Sequence, residues 1–312
     1  MLEFAVHRAD PRIRRSAWKV GFFRVDESEI NESLLDEVGA WTILKHDIVQ
    51  YYATTYSSIL ENHRKKKPNF NLTYYYIDGF ANAGYVKEKA TGEILEGSAL
   101  RVLNQVQPPF AKYFFVELAN KRFAALKKAC GARANVMLYN GDANQVLPKQ
   151  VFPEVQFKRF ERAFCLLDPY NEATLSWDTV RAAATTGTID VLIHFPIYSM
   201  NINVLRKAGD YSEEQRARLR FYWGDDSWED AAYRNDTTLF GWKTKRTNEE
   251  IVAAYCKRLV DVGGFLGASK PIPMKNGKGN VVYYLVFASS NDTGVRAVRS
   301  VANHFIKQLK AA

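Results

Sequence analysis

The sequence predicts an α/β protein in which a doubly wound, mainly parallel sheet of seven strands carries helices on both faces. Apolar runs of strand length alternate with segments of helical periodicity along most of the chain. Four successive strand segments also end on an acidic residue, namely Asp78, Glu117, Asp142 and Asp168. Since parallel strands place their carboxyl ends at one edge of a sheet, we expect these four side chains to meet there.

Length and charge narrow the classes of protein to which the chain can belong. Its 312 residues fit one large α/β domain or two small ones, and the net charge of +9 favours a polyanionic partner such as nucleic acid. Three widely spaced cysteines form no C-x-x-C pair, which argues against a disulfide scaffold or a zinc site. No signal-type segment follows Met1 and no apolar run is long enough to span a bilayer, so we expect a soluble, cytoplasmic protein without a metal.

The first 30 residues are expected to form a basic N-terminal arm. Their arginines are more typical of a solvated arm, packed through Trp18 and its aromatic neighbours, than of a dedicated nucleic-acid arm. A helical pattern follows over residues 31–60. The basic run 64–67 complements the negative end of that helix, and Pro68 prevents its continuation.

Residues 72–78 form the first strand of the predicted sheet. This aromatic run ends at Asp78, which we place at the rim of a ligand site. Small residues in the loop 79–84 allow a ligand to approach the backbone closely. An ordinary turn with Asp78 as a cap explains the same residues. A hairpin is predicted over 85–96, and Ser98 is expected to cap the next helix.

The rest of the sheet follows in regular alternation. We predict strands at 111–117, 135–142, 162–168 and 188–195, and helices at 120–130, 143–147 and 172–186. After a break, a helix at 247–260 leads to a sixth strand at 265–272, an antiparallel seventh at 281–287 and a closing helix at 295–309. Residues 31–199 and 246–312 would therefore form one domain.

Residues 200–245 interrupt this alternation and are predicted to be a mainly helical insert. Within 206–220 and just beyond, arginines are mixed with aromatic residues, as in proteins that bind single-stranded nucleic acid. An amphipathic helix that packs its aromatic residues inward explains the same pattern, and we favour that interpretation.

The order of the strand-end residues suits an adenosine-type cofactor. Small residues after the first strand allow close approach, and an acid after the second strand accepts hydrogen bonds from ribose hydroxyls. A polar group after the third strand can bind the adenine amino group, and the group after the fourth strand faces the substrate. Each of these acids taken alone is more often a helix cap than a ligand-binding residue.

The layout resembles the class I S-adenosylmethionine-dependent methyltransferases, whose Rossmann-like sheet ends in an antiparallel hairpin. Further characteristic segments lie at 41–45, 77–81, 97–98, 116–117, 141–144, 167–170 with Trp177, 194–196, and 283–288 with Gly294. In these segments the chain is similar, more narrowly, to the three-Cys-motif partner protein family (TcmP).

The resemblance implies a fold, a cofactor and a partner. The cofactor would be S-adenosylmethionine, and the family name implies a radical-type partner enzyme. The catalytic segment would be Asp168, Pro169 and Tyr170. The cofactor would be held by Lys45, Asp78, Phe80, Ala81, Gly84, Glu117, Asp142 and Ala143. For Lys45, which could reach the cofactor carboxylate, a surface lysine is the alternative.

Two departures from the methyltransferase pattern leave two functions open. Asn82 replaces the middle glycine of D-x-F-x-G-x-G, and Asn171 stands where a glycine is common. Asp168-Pro-Tyr only approximates the D-P-P-Y motif of enzymes that methylate exocyclic base nitrogens, so Tyr170 either stacks on a flipped base or packs over its own loop. His194 is either a proton acceptor or a hydrogen-bonded core histidine.

We therefore expect a methyltransferase whose acceptor is nucleic acid or, next, a partner protein. The alternative is an accessory module that keeps the fold without turnover.

Overall fold

The computed structural model describes residues 30–67, 69, 71–205, 211–237 and 243–311. The basic arm, except its last residue, and Pro68, Arg206 and Trp242 lie outside the described residues. The chain separates into the units Met1–Asn31 and Glu32–Ala312, and all features below belong to the second.

Strands and helices alternate along this unit. The strands are β1 (Asp36–Val38), β2 (Thr73–Asp78), β3 (Tyr85–Glu88), β4 (Ile94–Glu96), β5 (Lys112–Glu117), β6 (Val136–Asn140), β7 (Glu161–Leu167), β8 (Ile189–Phe195), β9 (Tyr233–Thr237), β10 (Lys243–Lys245), β11 (Gly267–Ala268), β12 (Ile272–Lys275) and β13 (Val281–Ser289). The helices are α1 (Ala40–Lys66), α2 (Ser98–Gln105), α3 (Asn120–Cys130), α4 (Ala143–Val146), α5 (Trp177–Thr185), α6 (Ile197–Asn203), α7 (Glu213–Trp223), α8 (Trp228–Ala232), α9 (Asn248–Asp261) and α10 (Asp292–Ala311).

The large sheet is mainly parallel, as predicted. Its order is β6-β5-β2-β7-β8-β13, and β11 and β12 both pair with β13. The first five of these strands are parallel to one another, whereas β13 is antiparallel to β8 and to β12. The antiparallel orientation predicted for the last strand is therefore confirmed.

The predicted count of seven strands is wrong, because the sixth strand is broken into β11 and β12. Ser269 lies at the break, where its N–H donates to the Phe287 carbonyl (2.8 Å) and its hydroxyl accepts from the Phe287 N–H (3.2 Å). Pro271 has no N–H to contribute to the ladder. The sheet therefore contains eight strands.

Both faces of the sheet are buried. Alternate residues of β2 enter different cores, with Tyr74 and Tyr76 on one face and Tyr75 and Ile77 on the other. Helices α1, α2 and α10 cover the first face, and α5, α7 and α9 cover the second. The doubly wound arrangement follows from strands that are apolar on both sides.

The segment before α1 differs from the prediction. The helix predicted from residue 31 begins at Ala40, and β1 precedes it. Strand β1 pairs in parallel with β3, where Asp36 lies opposite Val86, and the predicted hairpin is formed by β3 and β4. The predicted cap is also different, because Gly97 is the N-cap of α2 and the Ser98 hydroxyl bonds elsewhere.

The described part of the 200–245 insert contains helices and the β9–β10 hairpin. On α7, Tyr222 and Trp223 are buried, which supports the amphipathic interpretation. The arginines of α7 are paired with acids: Arg218 bonds the fully buried Glu172 (2.9 Å), and Arg220 bonds Asp226 (2.9 Å).

A second buried carboxylate lies near the amino end of β8. Asp190 accepts hydrogen bonds from the hydroxyls of Ser289 (2.6 Å) and Tyr52 (3.2 Å). Burial raises the pKa of Asp190 to about 6 against these opposing bonds. Gly294 packs so closely here that an added Cβ would lie 2.0 Å from Ser289 Oγ.

Among the described residues, no helix is long and apolar enough to cross a bilayer. These described residues also contain no group of three His, Cys, Asp or Glu side chains that could hold a metal ion.

Candidate functional site

A cavity of about 560 Å³ lies at the carboxyl ends of the parallel strands, and we call it the strand-end cavity. Residues that follow β2, β5, β6 and β7 line it, together with residues of α1 and the end of β8. Almost all predicted site residues line the cavity, namely Lys45, Phe80, Ala81, Gly84, Glu117, Asp142, Ala143, Asp168, Pro169 and Tyr170.

Asp78 is the exception, because it is fully buried and does not line the cavity. Its oxygens accept hydrogen bonds from the Phe80 N–H (3.1 Å) and the Ser98 hydroxyl (2.6 Å). Burial raises the pKa of Asp78 to about 6, although both bonds favour the ionised form. The predicted position at the rim is therefore wrong: Asp78 ties the start of the loop to α2.

The loop after β2 turns through left-handed backbone at two residues. Asn82 has φ +56° and Gly84 has φ +88°. The Asn82 amide nitrogen donates to Asp36, and its side-chain oxygen accepts from the Ala83 N–H (2.7 Å). An asparagine tolerates this conformation better than most residues, so the turn forms without the usual glycine.

The carboxylates after β5 and β6 differ in the hydrogen bonds that they accept from the protein. Glu117 Oε1 accepts from the Ala119 N–H (2.7 Å), and no second hydrogen-bond partner of this carboxylate lies among the described residues. Asp142 caps α4 through the Asn144 N–H (2.9 Å), as the cap interpretation predicts, and it also lines the cavity. Glu117 therefore has the greater capacity to accept hydrogen bonds from a ligand.

Three charged or titratable residues form what we call the Asp168 cluster. The Lys45 ammonium donates to Asp168 Oδ2, and His194 Nδ1 lies 2.7 Å from Asp168 Oδ1. Lys45 is only 7% exposed, so the surface-lysine interpretation is wrong. Burial opposes ionisation of Asp168, but Lys45 and the hydrogen bond from His194 hold its pKa well below the usual range.

The two histidines near the cluster both have a lowered pKa. Burial lowers the pKa of His46 to about 3, and the neighbouring Lys45 and Arg101 add to the effect. Burial also lowers the pKa of His194, although Asp168 opposes the shift. These shifts favour the ionised form of Asp168 and the neutral form of both imidazoles.

Tyr170 belongs to a second group, the Asp36 network, which also contains Asp36, Asn82 and Arg122. The Tyr170 hydroxyl donates to Asp36 (2.5 Å) and accepts from Arg122 (2.6 Å), while Arg122 also bonds Asp36 (2.7 Å). Tyr170 is 61% exposed, and all four residues line the cavity. This network joins β1, the loop after β2, α3 and the Asp168–Tyr170 segment.

The sequence interpretation missed Asp36 and Arg122, and its favoured interpretation of the insert expected Phe221 to pack inward with the other aromatic residues. Asp36 lies in a stretch read as helix, and it reaches the cavity because β1 pairs with β3. Arg122 has the pattern of an ordinary surface residue of α3. Phe221 is the exposed aromatic residue of α7 that lines the cavity, and only the packing of the insert places it there.

Comparisons with known proteins give structural neighbours only. No family model matches the sequence, and a search of curated proteins also finds no match. A Legionella pneumophila protein of solved structure is 10% identical, over 84% of this chain and 92% of its own, with a TM-score of 0.38. S-adenosylmethionine-dependent methyltransferases from Mesorhizobium loti (11% identity, 70% and 90% coverage, TM-score 0.34) and Anabaena variabilis (10%, 78% and 92%, 0.29) are also similar.

Proposed function

We propose that this chain is an S-adenosylmethionine-dependent methyltransferase that binds its cofactor in the strand-end cavity. The observation that carries this proposal is the convergence of Glu117, Asp142 and Asp168 on one cavity of about 560 Å³. Pockets for ligands of drug-like size typically measure roughly 300–1,000 Å³, so the volume suits an adenosyl group. The antiparallel β12–β13 pair also agrees with the terminal hairpin that the resemblance implies.

The residues in the cavity fit this cofactor in chemistry. Glu117 can accept hydrogen bonds from both ribose hydroxyls. The amino-acid part would lie against Phe80, Ala81 and Gly84, where the Asn82 side chain, which also lines the cavity, is held by Asp36 and the Ala83 N–H. Ala143 provides an apolar contact for the base.

The bound cofactor would supply a methyl group that its sulfonium makes electrophilic. The protein has to hold an acceptor in line with that group and exclude water. Pro169 and Tyr170, beside the Asp168 cluster, would form the acceptor side of the cavity.

We propose nucleic acid as the acceptor, and a modified partner protein next. The net charge of +9 favours a polyanion. Tyr170 and Phe221 line the cavity and are 61% and 41% exposed, so either ring could stack on a base drawn out of its strand.

The second candidate function is an accessory module that keeps the fold without turnover and acts with a partner enzyme, which the resemblance suggests is of the radical type. The Asp36 network favours it, because Tyr170 is held by Asp36 and Arg122 and would have to break both bonds to stack on a base.

Thermal unfolding with and without S-adenosylmethionine separates the two functions. A ligand selective for the native state stabilises it by about 2.7 kcal/mol at 100 times its dissociation constant. We expect a clear rise in melting temperature at millimolar cofactor, and none with adenine alone as the control. An equal melting temperature with and without S-adenosylmethionine would contradict cofactor binding and favour the accessory function.

A further inference from the structure

We infer that His194 is the proton acceptor of the reaction and that the methylated atom is a hydroxyl oxygen. This inference rests on the proposed function, whose acceptor it specifies. Asp168 then becomes a positioning residue, which orients the imidazole and does not itself take the proton.

The geometry holds the His194 ring in one orientation. Its Nδ1 lies 2.7 Å from Asp168 Oδ1, and its ring centroid lies 4.1 Å from that of Tyr283. Its backbone carbonyl accepts from the Tyr222 hydroxyl (2.9 Å). Asp168 is itself held by Lys45, so the carboxylate cannot turn away from the ring.

This arrangement determines which ring nitrogen carries the proton. An ionised Asp168 can only accept, so Nδ1 must donate and Nε2 keeps its lone pair. Among the described residues no partner engages Nε2, and His194 lines the cavity. A bare ring nitrogen within reach of a bound acceptor is what a general base requires.

The charged and titratable groups that face His194 keep it available as a base. Burial and the Lys45 ammonium lower its pKa, and Asp168 only partly offsets them. The Tyr283 hydroxyl points elsewhere, since it donates to the Trp41 carbonyl (3.1 Å). These groups therefore favour the unprotonated imidazole.

A hydroxyl nucleophile needs such a base. The hydroxyl oxygen forms a bond to the transferred methyl group, whose bond to sulfur breaks and leaves its electron pair on sulfur, while the hydroxyl proton passes to His194 Nε2. Without transfer of that proton the product would be a strongly acidic oxonium. Asp168 is a poor base here, because both its oxygens already accept hydrogen bonds and its pKa is low.

The tautomer can be measured without any acceptor. We would label the histidines of the full chain with ¹⁵N and assign His194, one of five histidines, through a His194→Gln variant. We expect the Nδ1-protonated tautomer at neutral pH, with a midpoint below that of a free histidine. In Asp168→Asn the amide group would face Nδ1 and shift the proton to Nε2. An Nε2-protonated or doubly protonated ring in the native chain would overturn the inference.

Calorimetry separates this inference from the proposed function. We expect His194→Gln to bind S-adenosylmethionine with a dissociation constant close to that of the native chain. Absence of binding by the native chain would remove the proposed function, whereas binding together with the wrong tautomer would remove only the present inference.

Methyl transfer tests the acceptor atom. The probes are single-stranded RNA and DNA oligonucleotides of one sequence with blocked ends, because both carry base amines and only RNA carries 2′-hydroxyls. We expect label in RNA alone and a loss of about 10²–10⁴-fold in His194→Gln, but not in the exposed control His63→Gln. Label in DNA or an unchanged rate in His194→Gln would contradict the inference, whereas label in neither oligonucleotide would contradict the nucleic-acid acceptor of the proposed function.

Discussion

Replacement of Glu117 by alanine tests the cofactor site most directly. This carboxylate lies at the end of β5 on the wall of the strand-end cavity, and among described residues only the Ala119 N–H bonds it. We expect Glu117→Ala to weaken the binding of S-adenosylmethionine without unfolding the chain, because the loss falls on bonds to the ribose.

The expected loss of affinity follows from the charge of the Glu117 carboxylate, which accepts the hydrogen bonds. A hydrogen bond to a charged group contributes about 1.5–3 kcal/mol, and Glu117 is half-buried, so we take about 2 kcal/mol for the ribose contact. Each 1.4 kcal/mol changes a dissociation constant tenfold, so the constant should rise roughly 30-fold. Glu117→Gln keeps one acceptor oxygen and should lose less.

Isothermal titration calorimetry with S-adenosylmethionine measures this change. Glu93→Ala is the matched control, because it removes the same charge from an exposed turn outside the cavity. Circular dichroism should show that both variants are folded. Equal dissociation constants in Glu117→Ala and Glu93→Ala would refute the proposed position of the ribose.

Three further predictions concern stability, each measured by denaturant unfolding. Because the pKa of Asp190 is raised, the folded state binds the carboxyl proton of Asp190 more tightly than the unfolded state does. The stability that this protonation contributes is lost as the pH rises through about 6. From about pH 4 to pH 8, Asp190→Asn should therefore gain about 2–3 kcal/mol relative to the native chain, and a constant difference would contradict this. Gly294→Ala should destabilise the fold by about 1–3 kcal/mol, because its Cβ would clash with the buried Ser289 hydroxyl. Gly277→Ala has open space around it and should change stability little. Equal losses of stability in the two variants would argue against close packing at Gly294. Glu172→Gln should lower the free energy of unfolding by about 2–3 kcal/mol, because its partner Arg218 is left without a counter-charge. The exposed Glu213→Gln should change it by no more than about 0.5 kcal/mol. An unchanged free energy of unfolding in Glu172→Gln would show that the buried ion pair is dispensable.

Local patterns predicted much of the fold. Helix α3 occupies the predicted residues 120–130, because its apolar spacing and flanking residues are contained in one short segment. Prediction failed before Ala40, where Leu34, Leu35 and Val38 have helical spacing but Asp36–Val38 form β1, because β1 is formed by pairing with the distant β3.

The sequence by itself determined the alternating elements and the strand ends at which polar residues would collect, since these depend on periodicity over a few residues. Only the tertiary structure decided which of those residues meet. Lys45 and Asp168 are 123 residues apart, and Asp36 and Tyr170 are 134 apart, yet both pairs form hydrogen bonds in the cavity. The same packing removed Asp78 from the cavity wall, because the hydrogen bonds from Phe80 and Ser98 hold it in the interior. Contacts of this kind depend on which elements pack together, and the spacing of residues within a short segment does not predict that packing.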